Sequence, residues 1–125
     1  MSATRILLVE DDLDNRRIMV HRLQRIGGFE IVEASDGKEA LKIVQTPPPP
    51  NIILMDLKLP VMDGWEATRR IRQIEGCRNI PIIAVTAQTM AGDELKALAA
   101  GCDDYVAKPV VVTSLEGKMR RLLSR

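Results

Sequence analysis

The sequence predicts an α/β domain with a parallel sheet and helices on both faces. Three observations carry that reading. Five short apolar runs punctuate the 125 residues, five segments of helical period lie between and after them, and the alternation never breaks. One compact domain fits this length, and two would be crowded.

The apolar runs are Arg5–Val9, Glu30–Ala34, Ile52–Met55, Ile80–Val85 and Tyr105–Ala107. The first, third and fourth are nearly continuous in β-branched residues and leucine, as strands buried on both faces require. The second alternates, which places it toward a sheet edge. The fifth is short and is assigned by its place in the pattern.

The first helix keeps a Met19, Leu23, Ile26 stripe that stops at Gly27-Gly28. Asp36-Gly37 opens a second, with Ala40, Leu41 and Val44 on one face. A third groups Ala67, Thr68, Ile71 and Ile74. A fourth aligns Ala91, Leu95, Leu98 and Ala99, and the last aligns Leu115, Met119, Leu122 and Leu123. The Pro47–Pro50 run reads as a stiff spacer before strand three, since proline can neither continue a helix nor join a ladder.

Composition removes several function classes. Lys and Arg number 18 against 17 Asp and Glu, a formal +1 that gives no support for electrostatic nucleic-acid binding. Three aromatic residues, Phe29, Trp65 and Tyr105, make no base-stacking platform. The longest uncharged stretch, Asn79 to Gly92, is 14 residues long and contains Pro81, which excludes a membrane span. No secretory signal opens the chain. Cys77 and Cys102 form no disulfide framework and lack zinc spacing, and His21 sits among Arg16, Arg17, Arg22 and Arg25 as a solvated helix residue. A reduced, soluble, cytoplasmic domain is expected.

Open parallel sheets bind ligands outside the carboxyl ends of their strands, at the switch in strand order. After strand one stand Glu10, Asp11 and Asp12; after strand three, Asp56; after strand four, Thr86; after strand five, Lys108-Pro109. Singly, such residues are ordinary: Asp12 or Asp14 caps the next helix. Together they gather carboxylates that repel unless a cation intervenes. Acids that can hold Mg²⁺, a nucleophilic carboxylate, a hydroxyl and an ammonium suit phosphoryl transfer onto an aspartate.

At these residues the sequence resembles the receiver domain of two-component response regulators, the family of the chemotaxis protein CheY. The motifs are Ile6–Asp12, Leu54-Met55-Asp56, Leu59–Gly64, Ala84–Ala87 and Tyr105–Pro109, in order along essentially the whole chain. The resemblance implies a flavodoxin-like, doubly wound (βα)5 sheet of strand order 2-1-3-4-5, an order CheY itself exemplifies. It implies Asp56 as phosphoacceptor. It implies Mg²⁺, with Mn²⁺ as a substitute, held by Asp11, Asp56, the Lys58 carbonyl and, through water, Glu10. Thr86, Ala87 and Lys108 would contact phosphate, Tyr105 would follow Thr86, Lys58 and Gln88 would tune phosphoryl lifetime, and Pro109 would follow a cis bond. Val110 departs from the family in replacing an aromatic residue.

The implied function is that of a stand-alone response regulator, residues 1–125 forming one receiver with no output domain. It would take phosphate from a sensor histidine kinase or histidine phosphotransfer protein and switch a surface for a downstream protein. Neither nucleic acid nor membrane would be contacted directly. A receiver from a hybrid kinase or longer regulator is the alternative. A metal-dependent phosphohydrolase would want a second acid where Lys58 stands, so no turnover of outside substrates is expected. A flavin module would meet repulsion from Glu10-Asp11-Asp12.

Overall fold

The computed structural model describes residues 3–86 and 93–125, with the side chains of residues 93–95 and 97 left aside. Five strands and five helices alternate: β1 Thr4–Val9, α1 Leu13–Ile26, β2 Phe29–Ala34, α2 Gly37–Val44, β3 Ile52–Asp56, α3 Gly64–Gln73, β4 Ile82–Thr86, α4 Asp93–Ala100, β5 Asp104–Ala107 and α5 Val112–Leu123. All pairings are parallel, in the order β2-β1-β3-β4-β5. The fold is the flavodoxin-like doubly wound sheet that the family resemblance implies. Its alternating strand β2 lies at one edge, as expected.

Strand periodicity divides the core between the two faces. Leu7, Val9, Ile53, Met55, Ile82 and Ala84 pack toward α2 and α3, together with Ala67, Ile71, Cys77 and Cys102. Ile6, Leu8, Ile52, Leu54, Ile83 and Val85 point the other way, onto Leu23 of α1 and Leu115, Met119 and Leu122 of α5. Every residue of β3 and β4 is buried, so these apolar runs needed no alternation.

Aspartates cap three helices. Asp12, Asp36 and Asp63 accept the backbone N–H of Asn15, Glu39 and Glu66 at 2.7–2.8 Å. β4 starts at Ile82 rather than Ile80, although the Pro81 carbonyl still accepts Ile53 N–H at 2.9 Å. Ile74 lies just past α3 with ψ 124° while still packing on the core.

The α4 stripe needs correction. Leu98 is 49% exposed and Ala99 is exposed, while Ala100 is buried at 5%. A small residue lets the helix end sit close to the sheet, which turns Leu98 outward. Ala91 and the Leu95 side chain fall outside the described residues.

Candidate functional site

The register gathers the candidate residues. Val9 pairs with Met55, so Glu10 emerges beside Asp56; Asp56 pairs with Val85, one residue before Thr86; Thr86 pairs with Ala107, one residue before Lys108. Residues from four strands thus meet at one sheet edge.

Two of the acids are buried: Glu10 is 6% and Asp56 is 5% exposed. Asp11 beside them is exposed. The Lys108 ammonium bridges the buried pair, donating to Glu10 Oε1 at 2.7 Å and Asp56 Oδ2 at 2.9 Å. Asp56 Oδ1 accepts the Lys58 amide at 3.0 Å, and Glu10 Oε2 accepts the Asp12 amide at 3.2 Å. These bonds leave neither buried carboxylate without a donor.

Burial works against the Lys108 charge, but its hydrogen bonds to Glu10 and Asp56 win, and its pKa rises above the ordinary lysine value. Asp11 is also pushed up, first by loss of surrounding water and then by its contact with Glu10. One carboxylate oxygen each from Glu10, Asp11 and Asp56 lies within 4.8 Å of the others. Three carboxylates against one ammonium leave a formal excess of two negative charges. The donors are all oxygen, which fits a hard divalent cation such as Mg²⁺.

The loop after β3 is closed tightly onto Asp56. Gly64 N–H donates to the Leu57 carbonyl at 3.0 Å, and a Cβ on Gly64 would stand 2.2 Å from the Asp56 carbonyl oxygen. Lys108 N–H donates to the Thr86 carbonyl at 2.7 Å, and the Lys108–Pro109 bond is cis. Thr86 is buried, while Tyr105 is half-buried with the Lys118 ammonium 5.8 Å from its ring centre. The Lys58 side chain is exposed. Ala87 and Gln88 lie outside the described residues.

The structure brings Glu10, Asp11, Asp56 and Lys108 together, with Thr86 at the end of the adjoining strand, and it adds two features that sequence reasoning overlooked. Arg16 donates to the Glu10 carbonyl at 2.8 Å and to Glu33 at 3.0 Å, fixing the chain that carries the acids. A cavity of about 460 Å³, lined chiefly by Ile18, Met19, Pro109 and Val110, also opens beside Glu10, Asp56 and Lys108. The small residue at position 110 was the available signal for it.

The chain matches the response regulator receiver domain over residues 6–120. It is 40% identical to the probable transcriptional regulator ycf27 of Cyanophora paradoxa, over 97% of this chain and 48% of that protein. A hybrid signal transduction histidine kinase of Dictyostelium discoideum is 42% identical over 88% of the chain, which amounts to 7% of the kinase. The chain spans about half the length of the curated regulators it matches, so transcriptional activity remains a property of those proteins.

Among solved structures, the receiver domain of a Pseudomonas aeruginosa PAO1 sensor histidine kinase superposes with a TM-score of 0.91. It is 37% identical, covers 99% of this chain and 100% of its own, and holds magnesium in its active-site cleft. The Vibrio cholerae chemotaxis protein CheY4 gives a TM-score of 0.88 at 28% identity, over 97% and 99% of the two chains. With sheet order, acid cluster and motif order all in agreement, the chain belongs to the response regulator receiver family of two-component signalling.

Proposed function

We propose that the chain accepts a phosphoryl group on Asp56 from a phosphohistidine and signals by binding another protein. The observation that carries this reading is the convergence of Glu10, Asp11 and Asp56, with Lys108 bridging two of them. Glu10, Asp11 and Asp56, joined by the Lys58 carbonyl, are the groups that would hold Mg²⁺, with Glu10 acting through water. When bound, the ion neutralises phosphoryl oxygens.

An Asp56 carboxylate oxygen forms the new bond to phosphorus as the bond to the donor imidazole breaks. The imidazole keeps the electron pair and later takes a proton. Lys108 then exchanges its hold on Asp56 for a phosphoryl oxygen, Thr86 and the backbone of Ala87 supply further donors, and Tyr105 follows Thr86 inward. Lys58 stands where a phosphohydrolase would carry its second acid, so turnover of outside substrates is no part of the reading.

The partners are a sensor histidine kinase or histidine phosphotransfer protein and a downstream protein, in the cytoplasm. Among the described residues no helix is long and apolar enough to cross a membrane. A second reading, a receiver belonging to a longer kinase, is favoured by the match to hybrid kinases and to an isolated kinase receiver.

Incubation with acetyl phosphate and Mg²⁺, followed by intact mass, tests the central step. One base-labile phosphate should appear and be absent in Asp56→Asn. An adduct that persists in that variant would overturn the assignment. Lys58 and Gln88 occupy positions that set lifetime. The Lys58 ammonium and its long stem stabilise the phosphorylated state and obstruct attacking water, so Lys58→Ala should release phosphate severalfold faster after donor removal.

A further inference from the structure

At the amino-terminal edge of the sheet, one strand's length from Asp56 (roughly 15 Å), lies a concavity of about 600 Å³. Arg72 of α3, Arg78 and Asn79 of the α3–β4 connection, Asn51, Asp103 and Arg125 line its polar side. Three guanidinium groups there face one carboxylate, a formal surplus of two positive charges.

The carboxylate is already engaged. Asp103 Oδ2 accepts from Arg72 Nη2 and from the Ile82 amide at 2.8 Å, and Oδ1 accepts from Arg125 at 3.2 Å. Arg72 donates its remaining bonds to the carbonyls of Gly101, Arg78 and Ile80 at 2.6–2.9 Å. The floor is therefore held in place, and its acid is neutralised.

Unused donors remain around it. Among the described residues the Arg78 guanidinium has no partner, although its backbone carbonyl is held by Arg72. Asn51 Oδ1 accepts the Arg5 amide at 2.7 Å, which leaves its amide nitrogen to donate. Net positive charge and surplus N–H donors are what an oxyanion requires. Leu122 and Leu123 add an apolar wall to one side.

We propose that this concavity binds the phosphate group of a small molecule, independently of the cluster at Asp56. Inorganic phosphate and a phosphomonoester share the chemistry that would be recognised. Amide resonances of the isotope-labelled chain, followed during titration with inorganic phosphate and separately with adenosine monophosphate, without divalent cation, provide the test. Saturable shifts at Asn51, Asn79, Gly101 and Asp103 are expected, and Asp56→Asn should leave them unchanged.

Arg78→Ala should weaken the affinity at least fivefold. Its side chain bonds nothing among the described residues, so the variant keeps every contact described for Arg72. Tighter binding of the nucleotide would identify a phosphomonoester site, and equal binding a free oxyanion site. Shifts confined to the loops carrying Glu10, Asp56 and Lys108, no saturation, or unchanged affinity in Arg78→Ala would each overturn the proposal.

Discussion

Two glycines that look alike in sequence differ in what surrounds them. A methyl group on Gly64 would meet the Asp56 oxygen at 2.2 Å and the Leu57 Cα at 2.7 Å, and backbone cannot step aside. Gly64→Ala should cost on the order of 2–3 kcal/mol. Gly117 in α5 has nothing within 4 Å of the same position. There the substitution should stabilise by about 0.5–1 kcal/mol, and urea unfolding of both variants checks the contrast. Burial pushes the Cys102 thiol up to about 11, against an ordinary value of 9.0, with Thr68 3.8 Å away partly opposing the shift. Above pH 9 the unfolded chain loses this proton while the folded chain keeps it. The contribution is therefore complete below pH 9 and fades as pH approaches 11, on the order of 2 kcal/mol in all. Urea unfolding from pH 8 to 11 should show a shallower alkaline loss in Cys102→Ala than in the parent chain.

Among the helices, α5 is the one that begins without a side-chain cap where a cap residue is described. Val111 stands at its N-cap position, extended and 63% exposed, while aspartates cap α1, α2 and α3. Val111→Asp should raise stability by about 1 kcal/mol, seen as a higher urea midpoint at unchanged slope. Elements whose cause is local were legible in the sequence: the β3 and β4 runs, the aspartates opening α1 and α2, and the glycine stop after α1. The α4 stripe was misread because helical period alone cannot say which of several apolar positions meets the sheet. Arg72 was invisible for a different reason. Its partners Gly101 and Asp103 lie 29 and 31 residues away, and such a contact leaves no periodic trace. The candidate site was legible because each of its groups sits at the end of a recognisable apolar run or just after it, and the sheet then fixes their proximity.

For the molecule as a whole, the acid cluster opposes folding until a cation offsets it, and Lys108 does so in part. Mg²⁺ should therefore raise the melting temperature in proportion to its binding, and chelation should reverse the gain. In Asp11→Ala the Mg²⁺-dependent increment should largely vanish while the metal-free melting temperature holds or rises. An unchanged increment would show that Asp11 is no ligand. Asp56 ends β3, which lies between β1 and β4 with all of its residues buried. Such a strand opens only when the entire molecule does. The carboxylate is consequently anchored to a central, fully buried strand and cannot yield to a newcomer. Any group it acquires must be accommodated by its neighbours, so a change at this atom becomes mechanical work on the loops that follow the adjoining strands.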